Sequence, residues 1–239
     1  MPLSALLNQA TASPVDWSPL WISLATSLSA TAITLVLGLI AAVWRENRTG
    51  PAMAVADGFL LLPLVLPPTV VGFLLLLVAG RNGPLGRLFE HFGTVVVFSW
   101  PATVIAASIV SFPLMYLTAR AALEQVDPYL LEAARTLGAN EWRVFREVSL
   151  PLAWPGVLAG VVLSFARALG EFGATLMVAG DIPGRTETIP IAIYFAVESG
   201  EMRRAFLWCG IDLGISLFLL AALYRWTQSR SPWRARWAR

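Results

Sequence analysis

Five long apolar stretches leave this sequence few folds to choose from. Each is long enough to cross a bilayer as a helix, which takes about 20 residues. They cover residues 19–44, 58–79, 94–118, 152–170 (152–179 at the longest) and 205–224. In lipid the backbone must satisfy its own polar groups. The expected fold is therefore an all-α polytopic membrane protein, a single transmembrane domain over residues 1–239. Charged residues make up only 13% of the chain, against about 25% in soluble domains. The run 189–197 is apolar but too short to cross, and is expected as a short external or re-entrant helix. No Lys or Arg precedes Arg45, which argues against a cleaved leader with its positive opening region.

All 17 basic residues are arginine. Without lysine the chain has no P-loop phosphate-binding lysine and no Schiff-base chemistry. One cysteine, Cys209, and one histidine, His91, exclude an internal disulfide and a Cys/His metal cluster. Cys209 reads as a small apolar packing residue and His91 as a solvated loop residue.

The arginines orient the chain. With the C-terminus in the cytoplasm, the inner segments are 45–56, 119–151 and 225–239. Arginines 45, 48, 120, 135, 143, 146, 225, 230, 234, 236 and 239 then lie inside. Arginines 81, 87, 185, 203 and 204 lie outside, and Arg167 falls within a span. The excess inside follows the positive-inside rule and puts the N-terminus outside. Trp17, Trp21, Trp44, Trp100 and Trp226 fall near span ends, where an amphipathic ring suits the interface. The arginine- and tryptophan-rich tail is expected on anionic lipid headgroups, with no role for nucleic acid.

The longest inner loop, 119–151, reads as two short helices. Asp127 caps the first and Pro128 opens it; Gly138 ends it; Asn140 caps the second, and Pro151 marks entry to the fourth span. On composition alone it is a solvated amphipathic loop or a docking element for a soluble partner. The pattern Glu132-Ala133-Ala134, three residues, Gly138, nine residues, Val148, one residue, Leu150-Pro151 favours docking. It resembles the EAA loop of ABC-importer permeases, with Val148 where that family usually has Ile.

The resemblance covers nearly the whole chain and is sharpest to molybdate permeases. It is carried by Leu64-Val65-Leu66-Pro67-Pro68-Thr69-Val70-Val71-Gly72 and by Ser111-Phe112-Pro113-Leu114. It continues through Ala133–Ala139, Trp142-Arg143-Val144-Phe145, Phe165-Ala166-Arg167 and Leu169–Thr175. It ends on Asp181-Ile182-Pro183-Gly184 with Thr188-Ile189-Pro190. The resemblance implies a type I importer in the bacterial cytoplasmic membrane. Two permease chains, expected to be identical, would form the pathway. Two ATPase subunits would bind ATP and magnesium, leaving no cofactor in this chain. A periplasmic or lipid-anchored binding protein would deliver molybdate. Glu132, Ala133, Ala134, Gly138, Leu150 and Pro151 would couple the ATPase to the membrane domain. Tungstate and sulfate are the alternative cargoes.

Within the spans, Pro63, Pro67 and Pro68 predict a kinked second helix. Pro67, Pro68, Thr69 and Gly72 are candidates to line the pathway. Arg167 and Glu171 stand four apart on one face of the fourth span, and Asp212 is the acid of the fifth. Charges in a bilayer pair or face water. The pair reads either as an inter-helix structural contact or as a gate with an anion-facing arginine. Tight cargo ligation is disfavoured, because it would slow release. Ala30, Thr34 and Gly38 form a small-residue row for close helix packing. A membrane-embedded enzyme lacks a nucleophile, base and orienter that converge, and an ATP-independent channel would have no use for an EAA loop.

Overall fold

The computed structural model describes residues 15–45, 48, 50–91, 93 and 96–229, with the backbone alone at 226–229. Glu46, Asn47, Thr94, the Trp226 side chain and the tail with Arg230, Trp233, Arg234, Arg236, Trp237 and Arg239 lie outside the described residues. All regular elements among the described residues are helical. They are α1 (Ser18–Arg45), α2 (Pro51–Val65), α3 (Pro68–Ala79), α4 (Pro84–His91), α5 (Trp100–Glu124), α6 (Pro128–Thr136) and α7 (Glu141–Val144). A π turn (Phe145–Ser149) follows, then α8 (Leu150–Leu169), α9 (Gly173–Ala179), α10 (Ile189–Glu198) and α11 (Met202–Ser229).

Helices α1, α5, α8 and α11 are long and apolar enough to cross a membrane, and the bent pair α2–α3 makes a fifth crossing if counted as one. The first and fifth expected spans match α1 and α11 closely, and the run at 189–197 forms the short helix α10. The other boundaries move for local reasons. Helix α5 starts at Trp100, not Thr94, because Pro101 is tolerated only in a first turn. It runs past Thr118 to Glu124, so 119–124 belong to a helix instead of the loop.

The second span is a broken helix, not a kinked one: α2 and α3 meet at 112°. Leu66 and Pro67 each precede a proline, which pushes both out of the α region. Their ψ angles are 140° and 137°. Two consecutive extended residues stop α2 at Val65, and the chain restarts at Pro68. Pro63 sits inside α2 without ending it.

Helix α5 is the central post. At the end nearest α6, its Tyr116, Ala119, Ala122 and Leu123 pack against Ala42 of α1 and Ala153 and Val157 of α8. Higher up, Ala102, Ala106 and Val110 meet Val71 of α3 and Ala174 and Val178 of α9. Small residues dominate these seams, as expected where van der Waals packing drives association in lipid. The Ala30–Thr34–Gly38 row is buried on α1. A Cβ at Gly38 would lie 2.6 Å from Met115 Cγ and 3.4 Å from the Tyr116 amide, so the two backbones meet almost directly.

Buried hydroxyls stitch the opposite end. Ser23 accepts from the Ile189 amide at 2.7 Å, Thr26 and Thr103 lie 2.9 Å apart, and Trp100 donates to Thr26 at 3.1 Å. Cys209 is exposed on α11 instead of packed in the interior. His91 ends α4 at an exposed position.

Candidate coupling loop and intramembrane site

The loop between α5 and α8 starts as its sequence predicts. The Asp127 carboxylate accepts from the Tyr129 amide at 2.9 Å and Pro128 opens α6. Gly138 adopts φ 85°. Its amide donates to the Arg135 carbonyl (2.9 Å), and the Ala139 amide donates to that of Ala134 (3.1 Å). This is a Schellman ending, which needs a left-handed residue where glycine carries no penalty. Asn140 then caps the next arm by accepting from the Arg143 amide at 2.9 Å.

The second arm is not a separate short helix. Residues Glu141–Leu169 form one continuous helical rod through Pro151. The π turn Phe145–Ser149 comes just before that proline, whose ring and missing donor would disrupt an ordinary turn onto Glu147. The widened turn, with the Leu150 amide donating to the Phe145 carbonyl, removes the need for that bond. Arg135 and Glu141 tie the two arms through paired contacts of 2.8 and 3.0 Å across Gly138.

Helix α6 buries no residue. Tyr129, Leu130, Leu137 and Trp142 stand exposed. Glu132, Ala133 and Gly138 are exposed, Ala134 and Leu150 half-buried, and Pro151 exposed. Among the described residues the Glu132 carboxylate forms no ion pair. The loop is thus a hairpin with exposed apolar side chains and an acid that is unpaired among the described residues.

The intramembrane candidates gather at two chain breaks. Pro67 and Thr69 are exposed and Pro68 half-buried at the α2–α3 break. The second break lies between α8 and α9, where the helix expected to extend to Ala179 stops at Leu169. A Cβ at Gly173 would lie 3.2 Å from Pro68 Cβ and 3.3 Å from the Thr69 amide, so the breaks abut. Gly72 has a packing position: a Cβ there would lie 2.8 Å from both Ala174 Cα and Met177 Cβ.

Arg167 Nη1 lies 2.8 Å from Glu171 Oε2. The pair links α8 to its own break, so it does not join two spans. Glu171 is 2% exposed and Arg167 29%. Glu171 Oε1 accepts from the Ala174 amide at 2.8 Å and so caps α9. Asp212 has a buried oxygen, Oδ1, with no hydrogen-bond partner among the described residues.

One cluster is invisible in the sequence. Asp57 accepts from the Tyr116 hydroxyl (2.6 Å), Arg120 Nη1 (2.9 Å) and Arg45 Nε (3.1 Å). It ties α1, α2 and α5 at the loop end. Its partners stand 12, 59 and 63 residues away, beyond the reach of local periodicity. The available signal was an acid flanking a span near arginines that end two others.

Comparison with known proteins agrees with this architecture. Over 208 residues the chain is 47% identical to the molybdenum transport system permease protein ModB of Escherichia coli (strain K12), covering 86% of this chain and 90% of that one. Over 218 residues it is 41% identical to ModB of Haemophilus influenzae, covering 90% and 95%. A solved structure of the MetNI methionine ABC transporter in an inward-facing conformation superposes with a TM-score of 0.67. It is 16% identical and covers 96% of this chain and 99% of that one, so it speaks for the type I ABC importer permease fold alone. Residues 34–231 match the family model described as binding-protein-dependent transport system inner membrane component, and the chain belongs to that family.

Proposed function

We propose that this chain is the transmembrane subunit of an ATP-driven importer that passes molybdate from an external binding protein into the cytoplasm. The observation that carries the cargo is the identity of 41–47% to molybdenum permeases over most of the chain. In this reading the protein works as two permease copies with two ATPase subunits, which hold ATP and magnesium. The loop end faces the cytoplasm, the N-terminus faces outside, and the chain itself is not catalytic.

Coupling follows from the loop's construction. An ATPase cleft would take the exposed apolar face of α6, with Glu132 available to partner arginines or amides and Ala133 and Ala134 permitting close approach. The Arg135–Glu141 bridge links the two arms of the hairpin, a modest tie at its exposure. Its second arm is continuous with a span, so a push on the loop is a push on α8. Pro67, Pro68, Thr69, Arg167 and Glu171 would border the pathway. Irregular backbone at membrane depth is tolerated where protein or a water-filled cavity surrounds it. Gly72 would hold α3 against α9.

Reconstitution tests the reading. Proteoliposomes holding the permease, its ATPase and the binding protein should accumulate molybdate only with ATP and the binding protein. Uptake independent of either, or uptake of sulfate in preference to molybdate, would overturn it.

A further inference from the structure

We propose that Arg167 is a way-station for the oxyanion in transit, and that Glu171 keeps this site shallow. The inference rests on the importer reading and deepens it by naming the group that meets the cargo. Three features carry it. The α2–α3 and α8–α9 breaks touch at Gly173, Pro68 and Thr69, and Arg167 lies on the last turn before the second break. Broken helices that converge within a membrane protein are where ion sites form, because their backbone must border protein or water.

The pair is also lopsided. The acid is buried at 2% exposure while the arginine is 29% exposed, so the cation is the open half. Finally, the 2.8 Å contact is an ion pair without hydrogen-bond alignment: Glu171 Oε2 accepts no hydrogen bond. Charge is neutralised, yet among the described residues Arg167 donates no aligned hydrogen bond, which leaves its planar donor fork available. Such a fork matches two oxygens of a tetrahedral oxyanion.

Glu171 sets the depth. A lone buried arginine would hold a dianion strongly, and release would become slow. With the carboxylate fixed beside it, the dianion meets a neutral pair whose arginine is the exposed half. Glu171 cannot swing aside cheaply, because its other oxygen caps α9 at Ala174. A Gln at 171 keeps that cap through its amide oxygen, while an NH2 replaces the oxygen facing Arg167 and the charge is removed.

The test is equilibrium binding of radiolabelled molybdate to the permease–ATPase complex in nanodiscs without binding protein. E171Q should bind on the order of tenfold tighter than wild type, since one repulsive charge a few ångströms away is gone. Its binding-protein-dependent uptake should be slower. R167Q/E171Q should lose the gain. Binding of E171Q equal to wild type, or a gain that survives in R167Q/E171Q, overturns the proposal. Should E171Q not assemble, R167K decides. It keeps the cation beside Glu171 but not the fork, so the proposal requires slower uptake at undiminished complex yield, and unchanged uptake overturns it. Normal wild-type uptake with either negative result counts against this inference alone, and failed wild-type uptake counts against the importer reading.

Discussion

Replacing Asp57 with Asn separates an anchoring carboxylate from a decorative one. The wild-type group accepts from Tyr116, Arg120 and Arg45 at 2.6–3.1 Å. Hydrogen bonds to charged groups contribute about 1.5–3 kcal/mol each. Asn retains one acceptor oxygen, so it keeps part of the network but leaves two arginines facing each other. Removing one partner of a buried pair costs about 3–5 kcal/mol. Arg45 and Arg120 are 14% and 28% exposed, so water recovers some of that, and the expected loss is about 3 kcal/mol. The control shares an arginine. Arg120 also contacts Glu124 at 2.7 Å, but Glu124 is 60% exposed, so E124Q should cost less than about 1 kcal/mol. Unfolding free energies from SDS titration in mixed micelles measure both. A D57N loss below about 1 kcal/mol, or an E124Q loss as large as that of D57N, would refute the reasoning.

Other expectations concern the loop, the seams and the outer end. G138P and E132R should uncouple ATP hydrolysis from transport while the complex still reaches the membrane; coupled ATPase stimulation by loaded binding protein in either would contradict this. Gly138 at φ 85° has open space around it, so G138A should cost about 1 kcal/mol through backbone conformation alone. G72V forces α3 away from the α9 backbone and should cost about 1–3 kcal/mol in the same micelle titration. Burial pushes the Asp181 and Glu187 carboxyls above their ordinary 3.8 and 4.5, with Arg204 offsetting part of the rise. Their folded forms hold protons more tightly, so that stability is complete below the ordinary values and is lost as pH rises through the raised ones. Amides of 180–188 should therefore exchange more slowly at about pH 3.5, below both ordinary values, than at about pH 8 after correction for intrinsic rates. E187Q should flatten that difference, and an unchanged profile in E187Q would refute the assignment.

What the sequence made legible follows the range of each physical signal. Apolar run length marks α1 and α11 because lipid thickness imposes it. Asp127-Pro128 and Gly138 mark α6 because caps and left-handed turns depend on a few adjacent residues. The α2–α3 break was half legible. Proline content announced a disturbance, but two consecutive extended residues give a bend near a right angle instead of a kink. Pro151 misled in the other direction, because the π turn before it lets the helix run through. The candidate pathway residues stand in the sequence as two separate local groups, 67–72 and the Arg167–Glu171 pair. That Gly173 seats against Pro68 and Thr69 is a tertiary fact with no local trace. The Asp57 network and the burial of Glu187 against Arg204 are of the same kind.

The rod from Glu141 to Leu169 has the geometry of a seesaw. Its 29 residues measure about 43 Å at a rise of about 1.5 Å per residue. A tilt of about 10° around its middle moves its two ends by roughly 4 Å in opposite senses. One end carries the hairpin proposed to meet the ATPase, and the other carries Arg167 beside the break. For a straight rod, a stroke at the first would arrive at the second inverted, at a scale close to the width of one oxyanion. No chain of intervening contacts has to switch in sequence. The compliant points are the widened turn before Pro151 and the Gly170 break, so stiffening either one should alter the phase between hydrolysis and passage before it alters the rate of either.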